Sequence, residues 1–186
     1  DSTSTTVVTT FASTTPVYWD KTRVNGDETL VMQCRVSSDL EKVFYGTATS
    51  SFTEIVSTFS TFSHRGKMEF IDGYALIMTS SNRIQNSNLN TISTWPVGNF
   101  ITKQIHEDNP QGLARLGNQI LAFGIDTAEV FYNAGLSPAP LGRLPSLQTK
   151  IGLSVLGQGV SSGHYYATLG NRLYFVGREA RSHNAG

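Results

Sequence analysis

Cysteine and charge are what this chain has least of. Cys34 is its single cysteine, so no internal disulfide can form and a multi-cysteine metal site is excluded. The residue itself reads as a small apolar side chain in a strand. Charged residues make up only 15%, with 14 basic against 14 acidic, so the whole chain has no electrostatic reason to attract nucleic acid or a membrane surface. No apolar run approaches the roughly 18 residues of a membrane helix, and no basic segment followed by an apolar one marks a secretory signal. The expectation is a soluble protein without a membrane anchor. An i, i+3, i+4, i+7 apolar stripe is missing from every window of a dozen residues, which makes helix a minor component at most.

Signatures of catalysis are missing too. The chain contains no G-x-x-x-x-G-K-[ST], H-E-x-x-H, G-x-S-x-G or EF-hand pattern. Gly157-Gln-Gly-Val-Ser-Ser-Gly163 is one residue longer than a dinucleotide loop and leads into His164-Tyr-Tyr-Ala rather than a helix, so it reads as a turn. His64, His106, His164 and His183 stand singly, none at i+2 or i+4 from another His or Cys, and read as loop or surface residues. The closest carboxylates, Glu107 with Asp108 and Asp126 with Glu129, have the residue type of a glycosidase pair. Asp126, however, sits in a hairpin reversal and Glu107-Asp108 precedes Asn109-Pro110, where such residues form turns. Arg172, Arg178 and Arg181 are a local basic excess that would suit phosphate or an acidic partner, with a solvated face as the default. No catalytic residue, cofactor or metal is assigned.

What the chain does have is a repeated turn followed by an apolar strand. Leu116 to Gly135 reads as a turn, an apolar strand, a short polar reversal and a second strand of aromatic and β-branched residues, and is expected to be the outer strands of one blade. Its opening, Gly117-Asn118, recurs as Gly170-Asn171, 53 residues later. Looser copies open at Asp72-Gly73, 45 residues before Gly117, and at Asn25-Gly26, 47 residues before Asp72. Turn-then-strand units at a period of about 40–50 residues are what propeller blades of four antiparallel strands leave in a sequence. The fold class is therefore all-β, a β-propeller-like array of antiparallel blades whose last blade is unfinished.

Residues 1–15, nearly all Ser and Thr around Val7, Val8 and Phe11, form an extended arm or edge strand, and 16–186 the propeller-like domain. The expected strands are Val17-Tyr18-Trp19 ending at Asp20-Lys21, Leu30 to Val36, Lys42 to Tyr45, Phe52 to Phe62, the two apolar runs of Met68 to Thr79 on either side of the Asp72-Gly73 turn, Arg83-Ile84, Phe100-Ile101, Ile151 to Leu156 and His164 to Ala167. His64-Arg65-Gly66 ends one unit, His106 to Gln111 is a loop, and Leu136 to Leu147, with three of the six prolines, is a surface connector that excludes a central strand. The start at Asp1 and the incomplete last unit point to a segment of a longer protein, or to a partner that supplies the missing strands.

From Met68 onward the order of features resembles the packaged-DNA stabilisation proteins of short-tailed bacteriophages, the tail accessory factors beneath the portal. The residues carrying the likeness are Phe70-Ile-Asp-Gly-Tyr-Ala-Leu-Ile-Met78, Ser87-Asn-Leu-Asn90 before Trp95, and a run with Phe123-Gly124, Thr127, Glu129, Phe131-Tyr132, Asn133 and Gly135. The link to Ile151 and the closing Asn171-Arg-Leu-Tyr-Phe-Val-Gly177 follow the same order, so that about 110 of the 186 residues are covered. Residues 1–66 match only in strand-turn style, and members of the family are much longer. The resemblance implies a structural virion protein of the head-to-tail connector or tail, made in the host cytoplasm. It implies a homo-oligomeric ring that contacts portal-adaptor and tail proteins, with DNA passing nearby without sequence-specific binding. It carries over no catalytic site. The alternative from another class is a carbohydrate-binding or glycan-hydrolysing propeller, which requires Trp19, Trp95 and Glu129 to converge.

Overall fold

In a computed structural model of the chain, residues 17–35, 41–47, 50–56, 62–104, 108–144, 151–153, 166–175 and 177–179 are described. Every regular element among them is a strand, and every pairing is antiparallel. The first sheet runs in chain order through β1 (Val17–Val24), β2 (Asp27–Arg35), β3 (Glu41–Gly46) and β4 (Thr53–Glu54). The second repeats the meander with β5 (His64–Ile71), β6 (Tyr74–Thr79), β7 (Arg83–Asn86) and β8 (Phe100–Thr102). The third does so with β9 (Pro110–Leu116), β10 (Gln119–Gly124), β11 (Ala128–Asn133) and β12 (Leu141–Arg143). Beyond it, β13 (Ile151–Leu153) pairs with β16 (Gly177–Glu179), and β14 (Tyr166–Leu169) with β15 (Arg172–Phe175).

The sheets stack in series, because their central strands are apolar on both faces. In β6, Ala75 and Ile77 point into a core shared with Val31 and Val43 of the first sheet, while Leu76 and Met78 point into one shared with Leu113 and Ile120 of the third. In β10, Ile120 and Ala122 face the second sheet, and Leu121 and Phe123 face Tyr166, Leu173 and Phe175 of the β14–β15 hairpin. This explains why these strands read as unbroken apolar runs rather than alternating ones. Each fully buried Leu, Ile or Phe contributes about 1.5–3 kcal/mol, so the seams between sheets carry most of the stabilisation.

Four two-residue turns open these units. Asn25-Gly26 (φ 51° and 92°) and Asp72-Gly73 (φ 46° and 83°) have both central residues left-handed, the type I′ pattern that suits the twist of a hairpin. Gly117 (φ 59°) and Gly170 (φ 58°) are left-handed at the first central position and are followed by Asn118 and Asn171, which are not, the φ pattern of type II′. The order changes from Asn/Asp-Gly to Gly-Asn because type II′ demands glycine first.

Several boundaries differ from the expectation. The hairpin that opens at Gly117 is not the outer pair of its sheet: β10 and β11 are the two inner strands, flanked by β9 and β12. The β1 strand continues through Asp20-Lys21 to Val24, because all eight residues find partners in β2. His64-Arg65-Gly66 begins β5 rather than ending a unit. A bulge lies between Arg65 and Glu69, and the Gln33 side chain bridges it, its amide donating to the Gly66 carbonyl (3.0 Å) and its oxygen accepting from the Met68 N–H (2.8 Å). His64 is accordingly buried, not on the surface. Phe52 to Phe62 yields only the two-residue β4, with 57–61 outside the described residues. Pro110-Gln111, expected in a loop, open β9. The proline-rich connector contains a short edge strand, β12, whose Leu141 is buried. The arm at 1–15, the glycine-rich 157–163 and the histidines at 106, 164 and 183 lie outside the described residues.

Left-handed glycines of the same turn type differ in what surrounds them. A β-carbon on Gly26 would meet open space, whereas one on Gly73 would press on the Asn90 side chain, whose backbone N–H bonds the Gly73 carbonyl at 2.8 Å. Gly26→Ala is expected to cost about 1–2 kcal/mol of backbone strain. Gly73→Ala is expected to cost measurably more, and urea unfolding of the two variants checks the order.

Candidate functional site

The residues that do not recur among the repeated units, Thr127 to Gly135, follow β11 along the seam between the second and third sheets, where Phe131 shares a core with Leu76 and Met78. The polar centre of the seam is Asp108. One carboxylate oxygen, Oδ2, accepts from the backbone N–H of Asp126 (3.0 Å) and Thr127 (2.9 Å) and from the Thr127 hydroxyl (3.0 Å). Those three donors belong to the reversal that joins β10 to β11, so Asp108 holds the hairpin shut from outside. The other oxygen pairs with the Lys103 ammonium, which also donates to Thr127 Oγ1 at 3.0 Å. The Lys103 side chain is completely buried, and a buried ammonium requires such a partner because desolvating an unpaired charge is prohibitive. Gly124 is glycine because a β-carbon there would overlap the Asp108 carboxylate.

One strand further on, Glu129 is fully buried and accepts from Arg143 Nε at 3.0 Å and from the Gln104 backbone N–H at 3.4 Å. Arg143 also donates to the Thr102 carbonyl and lies 5.5 Å from the Phe131 ring centroid, so it ties β12 to β11 and to the end of β8. Phe131 is buried in the core between the sheets. Tyr132, partly exposed, packs its ring against Gly142, where a β-carbon would crowd it at 3.1 Å. Asn133 Nδ2 donates to Asp72 Oδ2 (2.9 Å) on the turn of the second sheet, and its Oδ1 accepts from the N–H of Gly135, which is left-handed at φ 65°. Phe123 stacks on Tyr166 and meets Phe175 of the same following hairpin at a tilt of 53°. Phe123, Gly124, Thr127, Glu129, Phe131, Tyr132, Asn133 and Gly135 therefore each have a packing, capping or turn role.

A second polar centre lies where the first sheet, the second sheet and β14 meet. Glu69 is buried, with Lys67 Nζ 3.0 Å and the Tyr166 hydroxyl 2.9 Å from its Oε1, and the same hydroxyl bonds the Leu113 carbonyl. Burial pushes the Glu69 carboxyl above its ordinary range, with Lys67 and the Tyr166 hydroxyl opposing the rise and Asp20 adding to it. Burial also raises the Tyr166 hydroxyl, helped by Glu69, so it stays protonated. Beside this centre a cleft of about 210 Å³ is lined by Tyr18, Asp20, Gln33, Lys67, Phe70 and Tyr166, among others.

The residues a glycan site would need do not share a surface. Trp95 is buried between the first and second sheets with its indole N–H on the Ile92 carbonyl (2.7 Å), and Glu129 has no exposed surface. Trp19 is largely exposed, edge-on to Phe52 at 6.0 Å. Among the described residues no group of three or more His, Cys, Asp or Glu side chains is placed to hold a metal, and no helix is long and apolar enough to cross a membrane. Arg172 is exposed on β15. The repeated-turn residues sit one pair to each hairpin.

Sequence reading missed Lys103 and Arg143 altogether and took Asp108 for a turn former. The available signal was faint: in a chain with so few charges, each of these lies next to strands that hold an opposite charge. Comparison of the chain with models of protein families and with curated proteins finds no match.

The seam makes a direct stability prediction. Arg143→Met removes the guanidinium paired with the buried Glu129 and is expected to cost about 3–5 kcal/mol. Adding Glu129→Gln should recover most of that loss, and a double-mutant cycle by denaturant unfolding measures the coupling.

Proposed function

We propose that the chain is a non-enzymatic structural protein of a bacteriophage virion, part of a ring of propeller-like subunits in the head-to-tail connector or tail. In that place it helps retain the packaged genome and attach the tail through protein–protein contacts. The observation that carries the reading is the run Phe123 to Gly135. The likeness to the packaged-DNA stabilisation proteins rests on it, and its Thr127, Glu129 and Asn133 side chains are spent on rigidifying the seam between two sheets. Three successive four-stranded meanders that stack face to face support the propeller part of the reading, since blades share that topology and that packing. A rigid stack suits a subunit under the load of a packed genome.

Native mass spectrometry of the purified protein, alone and mixed with the portal and tail proteins of the same particle, tests this. The expected result is a closed homo-oligomer that co-assembles with the portal. A monomer with no affinity for any other virion protein would sink the proposal.

A further inference from the structure

The Tyr166 hydroxyl lies within hydrogen-bonding reach of two acceptors, the Leu113 carbonyl of β9 and the Glu69 carboxyl of β5. A phenol has one proton to give. If Glu69 is ionised it can only accept: its Oε1 keeps the Lys67 ammonium at 3.0 Å, but the phenol proton can serve only one of its two acceptors, so one of the two Tyr166 hydrogen bonds is lost. If Glu69 is protonated, both contacts are satisfied: the carboxyl donates to Tyr166 Oη, and the hydroxyl donates to the Leu113 carbonyl. We propose that Glu69 and Tyr166 form a proton-dependent latch that holds the β14–β15 hairpin against the second and third sheets, closed when Glu69 is protonated and loosened when it ionises.

The surroundings favour this reading. Glu69 and Tyr166 are both buried, and Tyr166 also packs its ring on Phe123 with centroids 6.4 Å apart. The titratable and charged groups facing Glu69 are Lys67 on its own strand, Tyr166 on β14, and Asp20 on β1, with Tyr18 of β1 acting on Tyr166. Lys67 favours the ionised form, but its ammonium also lies 5.1 Å from the Tyr166 ring centroid and is partly exposed, so water screens it. Desolvation outweighs it, and the Glu69 carboxyl is raised above the usual 4.5. A carboxyl raised in the folded state stabilises the closed form below its unfolded pKa, and that contribution disappears as the pH climbs through the folded value. The hairpin it holds is short and two-stranded; its outer face exposes Leu169 and Tyr174, and its inner face packs on Leu121 and Phe123. The latch is independent of any virion role and stands or falls without it.

Hydrogen exchange of the Leu169–Phe175 segment in the full chain, corrected for intrinsic exchange, tests the latch. Protection in the unaltered protein is expected to fall, by up to about tenfold per pH unit, as the pH climbs from the ordinary carboxyl value through the raised folded value of Glu69, and to level off above it. Glu69→Gln, whose amide donates to Tyr166 at any pH, should keep protection high and flat. A flat profile in the unaltered protein, or the same slope in both proteins, overturns the proposal. Should Glu69→Gln fail to fold, carbon-13 NMR of the Glu69 carboxyl in the unaltered chain decides. Titration above 4.5 supports the latch, and titration at or below 4.5 overturns it.

Discussion

The β6 strand has no face turned to solvent, and most of this architecture follows from that. Its odd residues Ala75 and Ile77 and its even residues Leu76 and Met78 belong to two different cores, so a sheet must lie on either side. The same holds for β10, between the second sheet and the β14–β15 hairpin. A sheet that is apolar on both faces cannot stand alone or pack as half of a simple sandwich. Serial stacking is the arrangement that buries both faces, and a repeated four-stranded meander supplies a new sheet about every 45–50 residues.

Apolar packing makes the stack adhesive but sets its geometry only loosely, because branched aliphatic side chains of similar volume interchange at modest cost. Orientation at the seam comes from polar groups placed where one sheet ends and the next begins. Asp108, just ahead of β9, closes the β10–β11 reversal. Lys103, just past β8, neutralises it, and Arg143 on β12 reaches across Glu129 to the end of β8. Together they tie the end of β8 and the connector that follows it to the β10–β11 pair at the centre of the third sheet. Buried ion pairs of this kind add little net stability over an apolar replacement, but they penalise every register that separates them. Gln33 does the same between the first two sheets without charge, by completing the hydrogen bonds of the bulge in β5.

The two polar centres differ in a way that bears on behaviour. Around Asp108 and Glu129 each carboxylate faces a cation, and the donors on Asp108 include two backbone amides, so the seam is held by fixed charge. Around Glu69 the nearest partners include a phenol that must also serve a backbone carbonyl. The first arrangement rigidifies, whereas the second leaves a proton whose position decides how well the last hairpin is held.

The all-β class, the spacing of the units and the four hairpin turns were legible in the chain because they depend on local chemistry. Asn-Gly, Asp-Gly and Gly-Asn dipeptides choose primed turns, and unbroken apolar runs such as Ala75 to Met78 announce strands buried on both sides. Boundaries that depend on a partner strand were not legible: β1 runs on through charged residues because β2 pairs with it, and β12 forms in a proline-rich stretch because β11 offers an edge. The reason for the run at Gly124, Thr127 and Glu129 was hidden as well, since it lies in Asp108, Lys103 and Arg143, distant in sequence and unremarkable by type. Local rules set which segments become strands and where they turn. Only the folded stack decided which charges would meet, because desolvation makes those meetings obligatory and sequence spacing does not encode them.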